Sequence, residues 1–124
     1  MRIVFADDNA DLVLAYMMIF SAQGHDVHGV YDANDVLPLV RRVRPEAVVL
    51  DLAMPEKSGF EIAEDLKTRY DGNPLMIAIT GKHTHKRDLE RSMSAGFHYY
   101  LLKPCDPDEL HALLIYAGLG AGGY

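Results

Sequence analysis

Polar side chains follow four apolar, strand-like runs of the chain, at the point where each run ends. They are Asp7 with Asp8, Asp51, Thr80 and Lys103. In an open sheet of parallel strands, ligands bind in the crevice outside the carboxyl ends of the strands. We therefore predict one shared site with three carboxylates, a hydroxyl group and an ammonium group. This set of groups suits the binding of a divalent cation and of a phosphoryl group.

The three carboxylates predict a metal site. Carboxylates that lie close together repel each other, and a bound cation removes that repulsion. Oxygen ligands select a hard ion, and a site with few protein ligands, completed by waters and a phosphate oxygen, suits Mg²⁺ better than Ca²⁺. Asp7 and Asp8 taken alone are also compatible with the start of a helix, whose dipole favours negative charge. The presence of Asp51, Thr80 and Lys103 at the ends of neighbouring strands favours the metal site.

Asp51 is the candidate nucleophile. A carboxylate that attacks a phosphoryl group forms an acyl phosphate, a recognised covalent intermediate. Lys103 offers a compact positive charge to a phosphoryl oxygen, Thr80 offers a hydroxyl donor, and Gly81 leaves space for the group to enter. For Asp51 alone, a helix cap or a loop aspartate is the ordinary alternative. The bond from Lys103 to Pro104 directly follows a strand, and such a bond can be cis.

The elements that must position these residues follow from the hydrophobic pattern. Five apolar runs alternate with segments of helical periodicity, which is typical of βα units and a parallel sheet. Polar residues and Gly29 interrupt the second run, so we place it at a sheet edge. The predicted fold is α/β, a three-layer αβα architecture whose five parallel strands have the order 2-1-3-4-5. The predicted strands cover residues 3–6, 26–30, 47–50, 75–79 and 99–102.

The first three predicted helices have readable start signals. Asn9 or Asp11 can cap the first helix, and Asp35 can cap the second. Ser58 and Glu61 have the spacing of a capping box at the start of the third helix. These signals place a helix after each of the first three strands.

The last two predicted helices differ in how well the sequence anchors them. Asp106 precedes the proline that opens the fifth helix, and acidic residues fill its first turn. The fourth helix, over about residues 85–95, has only Leu89 and Met93 as large apolar anchors. We therefore expect the fourth helix to be the least firmly packed of the five.

Composition and charge limit the classes of function. The chain has 124 residues and a net charge of −6, which fits one domain and argues against binding to nucleic acid or to an anionic membrane. Cys105 is the single cysteine, no apolar run approaches the roughly 18 residues of a membrane span, and His83 and His85 lack a third metal ligand. We expect a cytoplasmic protein with a domain over residues 1–118 and a flexible glycine-rich tail over residues 119–124.

Together these features resemble the receiver domain of two-component response regulators, the CheY-like family with a flavodoxin-like fold. The resemblance covers about residues 2–117, and the chain is similar to receivers attached to hybrid sensor histidine kinases. It depends on motifs that stand in the family's order and spacing: Phe5-Ala6-Asp7-Asp8-Asn9, Asp51-Leu52-Ala53-Met54-Pro55 with Gly59, Ile79-Thr80-Gly81, and Ala95-Gly96-Phe97 followed by Tyr100-Leu101-Leu102-Lys103-Pro104.

The resemblance implies a phosphoacceptor and a metal site. Asp51 would accept a phosphoryl group from a phosphohistidine on a sensor histidine kinase or a histidine phosphotransfer protein. Asp7, Asp8 and Asp51 would hold Mg²⁺, together with the backbone carbonyl of Ala53. The protein would then form and lose its own phosphoryl group without turning over a separate substrate.

The resemblance also implies a conformational switch. Thr80 and Lys103 would contact the phosphoryl group, and Tyr100 would be the switch aromatic that turns inward as Thr80 moves. Tyr99 stands beside it, and surface packing is its ordinary explanation. Lys82 occupies a position that tunes dephosphorylation in this family. The surface formed by the fourth helix, the fifth strand and the fifth helix would then bind a downstream protein or a second copy of the chain in a phosphorylation-dependent dimer.

The predicted function is therefore a phosphoacceptor signalling switch of a two-component phosphorelay, and three alternatives compete with it. An aspartate-nucleophile phosphohydrolase has a second acid two residues after the nucleophile, where this chain has Ala53. In an FMN-binding protein, the acidic Asp7-Asp8 loop would repel the cofactor's phosphate. A pseudo-receiver that accepts no phosphoryl group stays open, although the five site residues are all present.

Overall fold

Strands and helices alternate along the chain. The computed structural model of the protein describes residues 1–55, 57–69, 74–81 and 86–122, and for residues 69, 86–89, 92 and 118–122 it describes the backbone alone. The elements within these ranges, in chain order, are β1 (Arg2–Ala6), α1 (Ala10–Ala22), β2 (Asp26–Val30), a 3₁₀ turn (Ala33–Asp35), α2 (Val36–Val43), β3 (Ala47–Asp51), α3 (Gly59–Arg69), β4 (Leu75–Thr80), α4 (Lys86–Ala95), β5 (Tyr99–Leu102) and α5 (Pro107–Gly122).

The five strands form one parallel sheet in the order β2-β1-β3-β4-β5, which confirms the predicted strand order. Ala6 of β1 pairs with Leu50 of β3, and Asp51 at the end of β3 pairs with Ile79 of β4. Because these three strands end level with one another, the residues that follow them meet at the same edge of the sheet. The register thus brings these residues to one edge of the sheet, as the strand order predicts.

Two apolar cores cover the two faces of the sheet, because successive side chains of a strand point to opposite faces. Helices α1 and α5 cover one face, and α2, α3 and α4 cover the other. Full burial of one large apolar side chain contributes about 1.5–3 kcal/mol, so each core contributes substantially to the stability of the fold. The core beneath α1 and α5 includes Ile3, Phe5, Val13, Phe20, Val49, Ile77, Leu110 and Leu114, and the opposite core includes Val4, Val36, Leu50, Phe60, Ile62, Leu66 and Ala78.

Strand β2 lies at an edge of the sheet, as predicted, and Gly29 has a packing role there that the sequence did not reveal. A Cβ atom on Gly29 would lie 2.5 Å from Cγ1 of Val13 and 2.7 Å from Sδ of Met17. These distances are too short for any side chain, so the glycine allows α1 to pack closely against β2.

The helix caps agree with the predicted signals at three helices. The side chain of Asn9 accepts a hydrogen bond from the Leu12 N–H (3.2 Å), and Ser58 Oγ accepts one from the Glu61 N–H (3.3 Å). The side chain of Asp106 accepts one from the N–H of the second residue in α5 (2.9 Å). These bonds satisfy backbone donors that have no partner inside the helix.

The predicted cap of the second helix is wrong in its mechanism. Asp35 occupies the cap position of α2, but its side chain makes no capping hydrogen bond. The chain has already turned in the 3₁₀ segment before α2, where the side chain of Asp32 accepts from the Asn34 N–H at 2.8 Å. Asp35 therefore has helical backbone angles (φ −90°, ψ −9°), whereas a capping residue is ordinarily extended.

The predicted anchoring of the fourth helix is wrong for Met93. This side chain is 75% exposed, and the side chain of Leu89 lies outside the described part of the structure. The buried residues here are Ala95 at the end of α4 and Phe97 just beyond it. Gly96 ends the helix with a positive φ of 112°, a conformation that glycine adopts readily.

The C-terminal segment is helical further than the sequence suggested. Helix α5 continues to Gly122, so residues 119–122 of the predicted tail extend a helix. The flexibility of that segment and the domain limit at residue 118 stay predictions. None of the helices in the described ranges has both the length and the apolar character that crossing a lipid bilayer requires.

Candidate functional site

Three carboxylates converge at the carboxyl edge of the sheet. Oxygen atoms of Asp7, Asp8 and Asp51 all lie within 4.8 Å of one another. Asp7 is 7% exposed and Asp51 is 5% exposed, whereas Asp8 is open to solvent. The convergence follows from the strand register, because Asp7 comes one residue after Ala6 and Asp51 one residue after its partner Leu50.

Backbone N–H groups orient the two buried carboxylates. The Asn9 N–H donates to Oδ1 of Asp7 at 2.9 Å, and the Ala53 N–H donates to Oδ1 of Asp51 at 3.0 Å. Each bond joins an aspartate to the backbone two residues further on, which is a local turn that aspartate favours. Each carboxylate is therefore held through one oxygen, and its second oxygen contacts Lys103.

Lys103 places a positive charge between the two buried carboxylates. Its Nζ lies 2.6 Å from Oδ2 of Asp7 and 3.4 Å from Oδ2 of Asp51. Burial lowers the pKa of Lys103, but its hydrogen bonds to the two aspartates and their charges outweigh burial, so the net shift of the pKa is upward. The side chain therefore stays protonated at neutral pH.

Burial is also the main influence on the acceptor candidate. It raises the pKa of the Asp51 carboxyl, and the charge of Asp7 adds to the rise. The hydrogen bond from the Ala53 N–H and the charge of Lys103 act in the opposite direction and only partly offset burial. The negative charge of ionised Asp51 is therefore only partly stabilised by its neighbours. A bound cation, or a bond to an electrophilic phosphorus atom, would stabilise it further.

Thr80 and Lys103 are joined through the backbone. Thr80 is the last residue of β4 and is 4% exposed, and its carbonyl accepts a hydrogen bond from the Lys103 N–H at 2.8 Å. It follows Ile79, the residue that pairs with Asp51. The peptide bond from Lys103 to Pro104 is cis, as the sequence allowed.

Two glycines near the site differ in how strictly the structure requires them. A Cβ atom on Gly59 would lie 2.7 Å from the Asp51 carbonyl oxygen and 2.9 Å from Cα of Leu52. A Cβ on Gly81 would meet only carbon atoms of Lys103, at 3.6 Å and beyond. Gly59 therefore allows α3 to begin directly against the end of β3, and sequence reasoning missed this role. The predicted use of the space at Gly81 by an entering group stays a prediction.

The two adjacent tyrosines of β5 lie on opposite faces of the sheet. Tyr100 is partly buried against the core of α2, α3 and α4, which also contains Ala78, its partner in β4. Tyr99 is partly buried against the other core, so it is less exposed than the expected surface packing implies. Strand alternation puts Thr80 on the same face as Ala78 and hence as Tyr100. Tyr100 therefore shares the face of Thr80, and its role as the switch aromatic stays a prediction.

Tyr16 is a site neighbour that sequence reasoning missed. It lines a cavity together with Asp7 and Asp51, and its hydroxyl lies 3.5 Å from the Cys105 carbonyl oxygen. Burial, with the charges of Cys105 and Asp7, raises the pKa of Tyr16 to about 12. The sequence offered one signal for this residue. Tyr16 stands three residues after Val13, on the buried face of the first helix, and a buried tyrosine hydroxyl needs a polar neighbour.

Among the remaining candidates, Cys105 and Ala53 belong to the described residues. Burial raises the pKa of the Cys105 thiol, which makes the thiol a weak nucleophile at neutral pH. Lys82, His83 and His85 lie outside the described residues. Ala53 is exposed beside Asp51, and the predicted contact of its carbonyl with a metal ion stays a prediction.

Curated relatives of the chain include DNA-binding response regulators. The protein MtrA of Mycobacterium tuberculosis (strain H37Rv) is 32% identical over 111 residues, which cover 90% of this chain and 47% of MtrA. A 14.6 kDa protein of Leptolyngbya boryana is 31% identical over 114 residues, which cover 92% of this chain and 87% of that protein. The chain thus spans about half the length of the MtrA relatives.

Solved structures support the same fold. A CheY-like receiver domain protein from Methanospirillum hungatei has a TM-score of 0.90 at 22% identity, covering 98% of this chain and 96% of that one. The BeF₃-activated receiver domain of RstA from Klebsiella pneumoniae has a TM-score of 0.84 at 22% identity, covering 94% and 97%. The sequence profile described as "Response regulator receiver domain" matches residues 3–115. The chain therefore belongs to the family of response regulator receiver domains.

Proposed function

We propose that this receiver domain is a phosphoacceptor switch of a two-component phosphorelay, with Asp51 as the residue that accepts the phosphoryl group. One observation supports this proposal above all others. The carboxylates of Asp7, Asp8 and Asp51 converge within 4.8 Å, and the ammonium group of Lys103 contacts two of them. This combination binds a phosphoryl group and a hard cation, and it offers a carboxylate nucleophile between them.

The proposed reaction is an exchange at phosphorus. An oxygen of Asp51 forms a bond to the phosphorus atom while the bond from phosphorus to the donor's imidazole nitrogen breaks, which leaves an acyl phosphate on Asp51. The Ala53 N–H holds Oδ1 of Asp51, and the ammonium of Lys103 lies 3.4 Å from Oδ2. The catalytic contribution of the domain is therefore positioning and charge stabilisation, with no general acid or base required.

The donor atoms of the site fit Mg²⁺. They are carboxylate oxygens, they belong to three neighbouring residues, and Asp8 is open to the solvent that would complete the coordination. A bound Mg²⁺ would offset negative charge on the phosphoryl oxygens and on the acceptor. Lys103 lies 2.6 Å from Asp7, so it acts as the counter-ion of the metal-binding carboxylates and competes with the cation for Asp7.

The conformational response would run through β4 and β5. Thr80 and Tyr100 occupy the same face of the sheet, and the carbonyl of Thr80 is bonded to the backbone of Lys103. A phosphoryl group held by Lys103 and Thr80 would therefore shift both strand ends together. We infer that the surface of α4, β5 and α5 changes as a result and alters the binding of a downstream protein or of a second copy of the chain.

The proposed partners follow from the family and the charge. The phosphoryl donor would be a sensor histidine kinase or a histidine phosphotransfer protein, in the cytoplasm. DNA binding is part of the name of the MtrA relatives, but this chain spans about half their length and has a net charge of −6. We therefore propose no direct contact of this domain with nucleic acid or with a membrane.

Beryllofluoride and acetyl phosphate test the proposed function. With Mg²⁺, either reagent should modify the protein at Asp51, seen by fluorine NMR or by intact mass. Asp51→Asn should keep the fold and lose the adduct completely, whereas Lys103→Ala should still bind Mg²⁺ and lose the conformational response in amide NMR spectra. An unmodified native protein would identify a pseudo-receiver, and an adduct on Asp51→Asn would assign the acceptor role to another carboxylate.

A further inference from the structure

A chain of hydrogen bonds joins three elements on the α1 and α5 side of the sheet. The N-terminal amine of Met1 lies 2.9 Å from Nδ1 of His25, and Nε2 of His25 lies 2.9 Å from Nε2 of His111. His25 stands between α1 and β2, Met1 precedes β1, and His111 belongs to the second turn of α5. The ring of Phe20 lies 6.3 Å from His25 and 5.5 Å from His111.

The protonation states of this chain can be assigned from donor and acceptor rules. The nitrogen of Met1 is the donor toward Nδ1 of His25, so this Nδ1 carries no proton. A neutral His25 then carries its proton on Nε2 and donates to Nε2 of His111, which leaves the proton of His111 on Nδ1. Both imidazoles must therefore be neutral for the two bonds to coexist.

An added proton has no place in this arrangement. Protonation of His111 at Nε2 would oppose two N–H groups across 2.9 Å, and protonation of His25 at Nδ1 would oppose the amine of Met1. Protonation of His25 also brings its positive charge against that of the Met1 amine in a partly buried location. A single proton thus breaks at least one of the two hydrogen bonds.

The described acidic side chains near His25 make no contact with its ring that would stabilise a protonated imidazole. Burial, the Met1 amine and His111 lower the pKa of His25, and the charge of Glu46 opposes them only in part. Glu46 is engaged by the Arg2 N–H at 3.1 Å. Asp26, next to His25, is 3.0 Å from His28.

The other element that bears on the pair is α5 itself. Asp108 stands three residues before His111 on this helix and is exposed, and Glu109 is also exposed. No other described contact of His111 involves a charged group, since its remaining ring partner is Phe20. The pair is therefore arranged to disfavour protonation.

We propose that the His25–His111 pair is a pH-sensitive latch that fastens α5 to the corner between α1 and β2. The latch is closed while both imidazoles are neutral and opens when one of them gains a proton. This regulation goes beyond the proposed phosphoryl transfer and does not depend on it, because it involves neither Asp51 nor a metal ion.

The direction of the pH effect follows from the lowered pKa of His25. Its folded value lies below the ordinary 6.5 of the unfolded chain, so the latch stabilises the fold fully above pH 6.5. This contribution is lost as the pH falls through the folded value. Loosening of α5 on mild acidification is the expected consequence, while the opposite face of the sheet keeps its contacts.

Nitrogen NMR of the imidazole rings tests the assigned protonation states. At pH 7.5, His25 of the native protein should be the Nε2–H tautomer and His111 the Nδ1–H tautomer. On acidification His25 should leave this state below pH 6.5, and the His111 signals should report the loss of the hydrogen bond between the rings in the same transition. Independent titration of the two rings, or the opposite tautomers at pH 7.5, would overturn the latch, and this measurement needs no variant.

Hydrogen exchange tests the consequence for α5. As the pH falls from 7.5 through the folded pKa of His25, protection factors of the α5 amides should fall roughly fivefold, the effect of one lost hydrogen bond. In His111→Phe, which keeps a ring against Phe20, the fall should disappear, whereas the control His28→Gln should retain it. An equal fall in His111→Phe, or a constant protection factor in the native protein, would contradict the proposal.

Discussion

Helix α1 follows Asp7 and Asp8, and helix α4 belongs to the segment after Thr80, but their described side chains are anchored in different ways. Val13 and Phe20 of α1 are completely buried, and Phe5 of β1 packs against Tyr16 and Phe20 with ring centroids 5.2 and 5.3 Å apart. This side of the site, which carries the proposed metal ligands Asp7 and Asp8, is held by close packing of apolar groups. It is therefore suited to stay fixed while a ligand binds.

The contacts of helix α4 that involve described side chains at Arg91 and Ser94 are polar or charged. Among its side chains that the structure describes, Ala95 is buried and Met93 is 75% exposed. The guanidinium of Arg91 lies 4.3 Å from the centre of the Phe60 ring, and Nζ of Lys67 donates to the Ser94 carbonyl at 3.4 Å. Such contacts are weak, so the described part of α4 is attached less firmly than α1.

The largest expected effect is on the α1 side. Phe20→Ala should lower the free energy of unfolding by about 3–5 kcal/mol, because it removes a buried ring and leaves a cavity. Met93→Ala on α4 should change it by less than about 0.5 kcal/mol, because that side chain is exposed. Urea denaturation of both variants measures the contrast, and similar losses would erase the difference between the two helices.

A smaller loss is expected where α1 meets β2. Gly29→Ala should destabilise the fold by about 1–3 kcal/mol, because its Cβ would overlap Val13 and Met17. Gly81→Ala is the matched control, since its Cβ would make only ordinary contacts with Lys103. Thermal unfolding of the pair should rank Gly29→Ala well below the control, and the reverse ranking would show that α1 adapts more easily than its packing implies.

Removal of the negative charge of Asp51 should stabilise the fold. Asp51→Asn should raise the free energy of unfolding by about 1 kcal/mol at pH 7, because ionised Asp51 is buried with incomplete compensation. The pKa of Asp51 is raised from 3.8, so its ionisation costs stability above the folded value and the cost vanishes as the pH falls toward 3.8. The difference between variant and native protein in urea denaturation should shrink over that range. A destabilised variant at pH 7 would show that Lys103 compensates the charge fully.

The smallest expected effect concerns the attachment of α4 to α3. Arg91→Ala should lower the free energy of unfolding by about 0.5–1 kcal/mol, because the cation no longer lies over the Phe60 ring. Arg42→Ala, an exposed arginine in the last turn of α2, is the control and should have no measurable effect. Amide exchange should increase in α4 of the Arg91 variant alone. Unchanged exchange there would show that other contacts hold this helix.

The sequence predicted the residues whose position depends on the strands. Asp7, Asp51 and Thr80 directly follow or end buried strands, and the register of a parallel sheet then decides where they meet. That inference needs only hydrophobic pattern and strand order, both of which are local or fold-level properties.

The features that the sequence did not predict depend on contacts between distant segments. Gly59 is required by the approach of α3 to the Asp51 carbonyl, and the His25–His111 pair joins residues 86 positions apart. Met93 has the spacing of an anchor, yet it is exposed, because α4 turns Ala95 toward the core instead. Periodicity indicates which faces are apolar, but it does not give the distance or rotation at which two elements pack.

The pairing of Ala6 with Leu50 has a consequence for how the domain can be altered. The distance between Asp7 and Asp51 is determined by adjacent strands, and so it does not depend on the number of residues in the connections at the opposite edge of the sheet. The connection between α2 and β3 is itself fixed to β1, because the Arg44 carbonyl accepts a hydrogen bond from Nε of Arg2 at 3.1 Å and the Glu46 N–H donates to the Arg2 carbonyl at 2.9 Å. A reporter domain or an affinity tag inserted at Arg44 would therefore disturb β1, the strand that places Asp7, so this connection should be left intact.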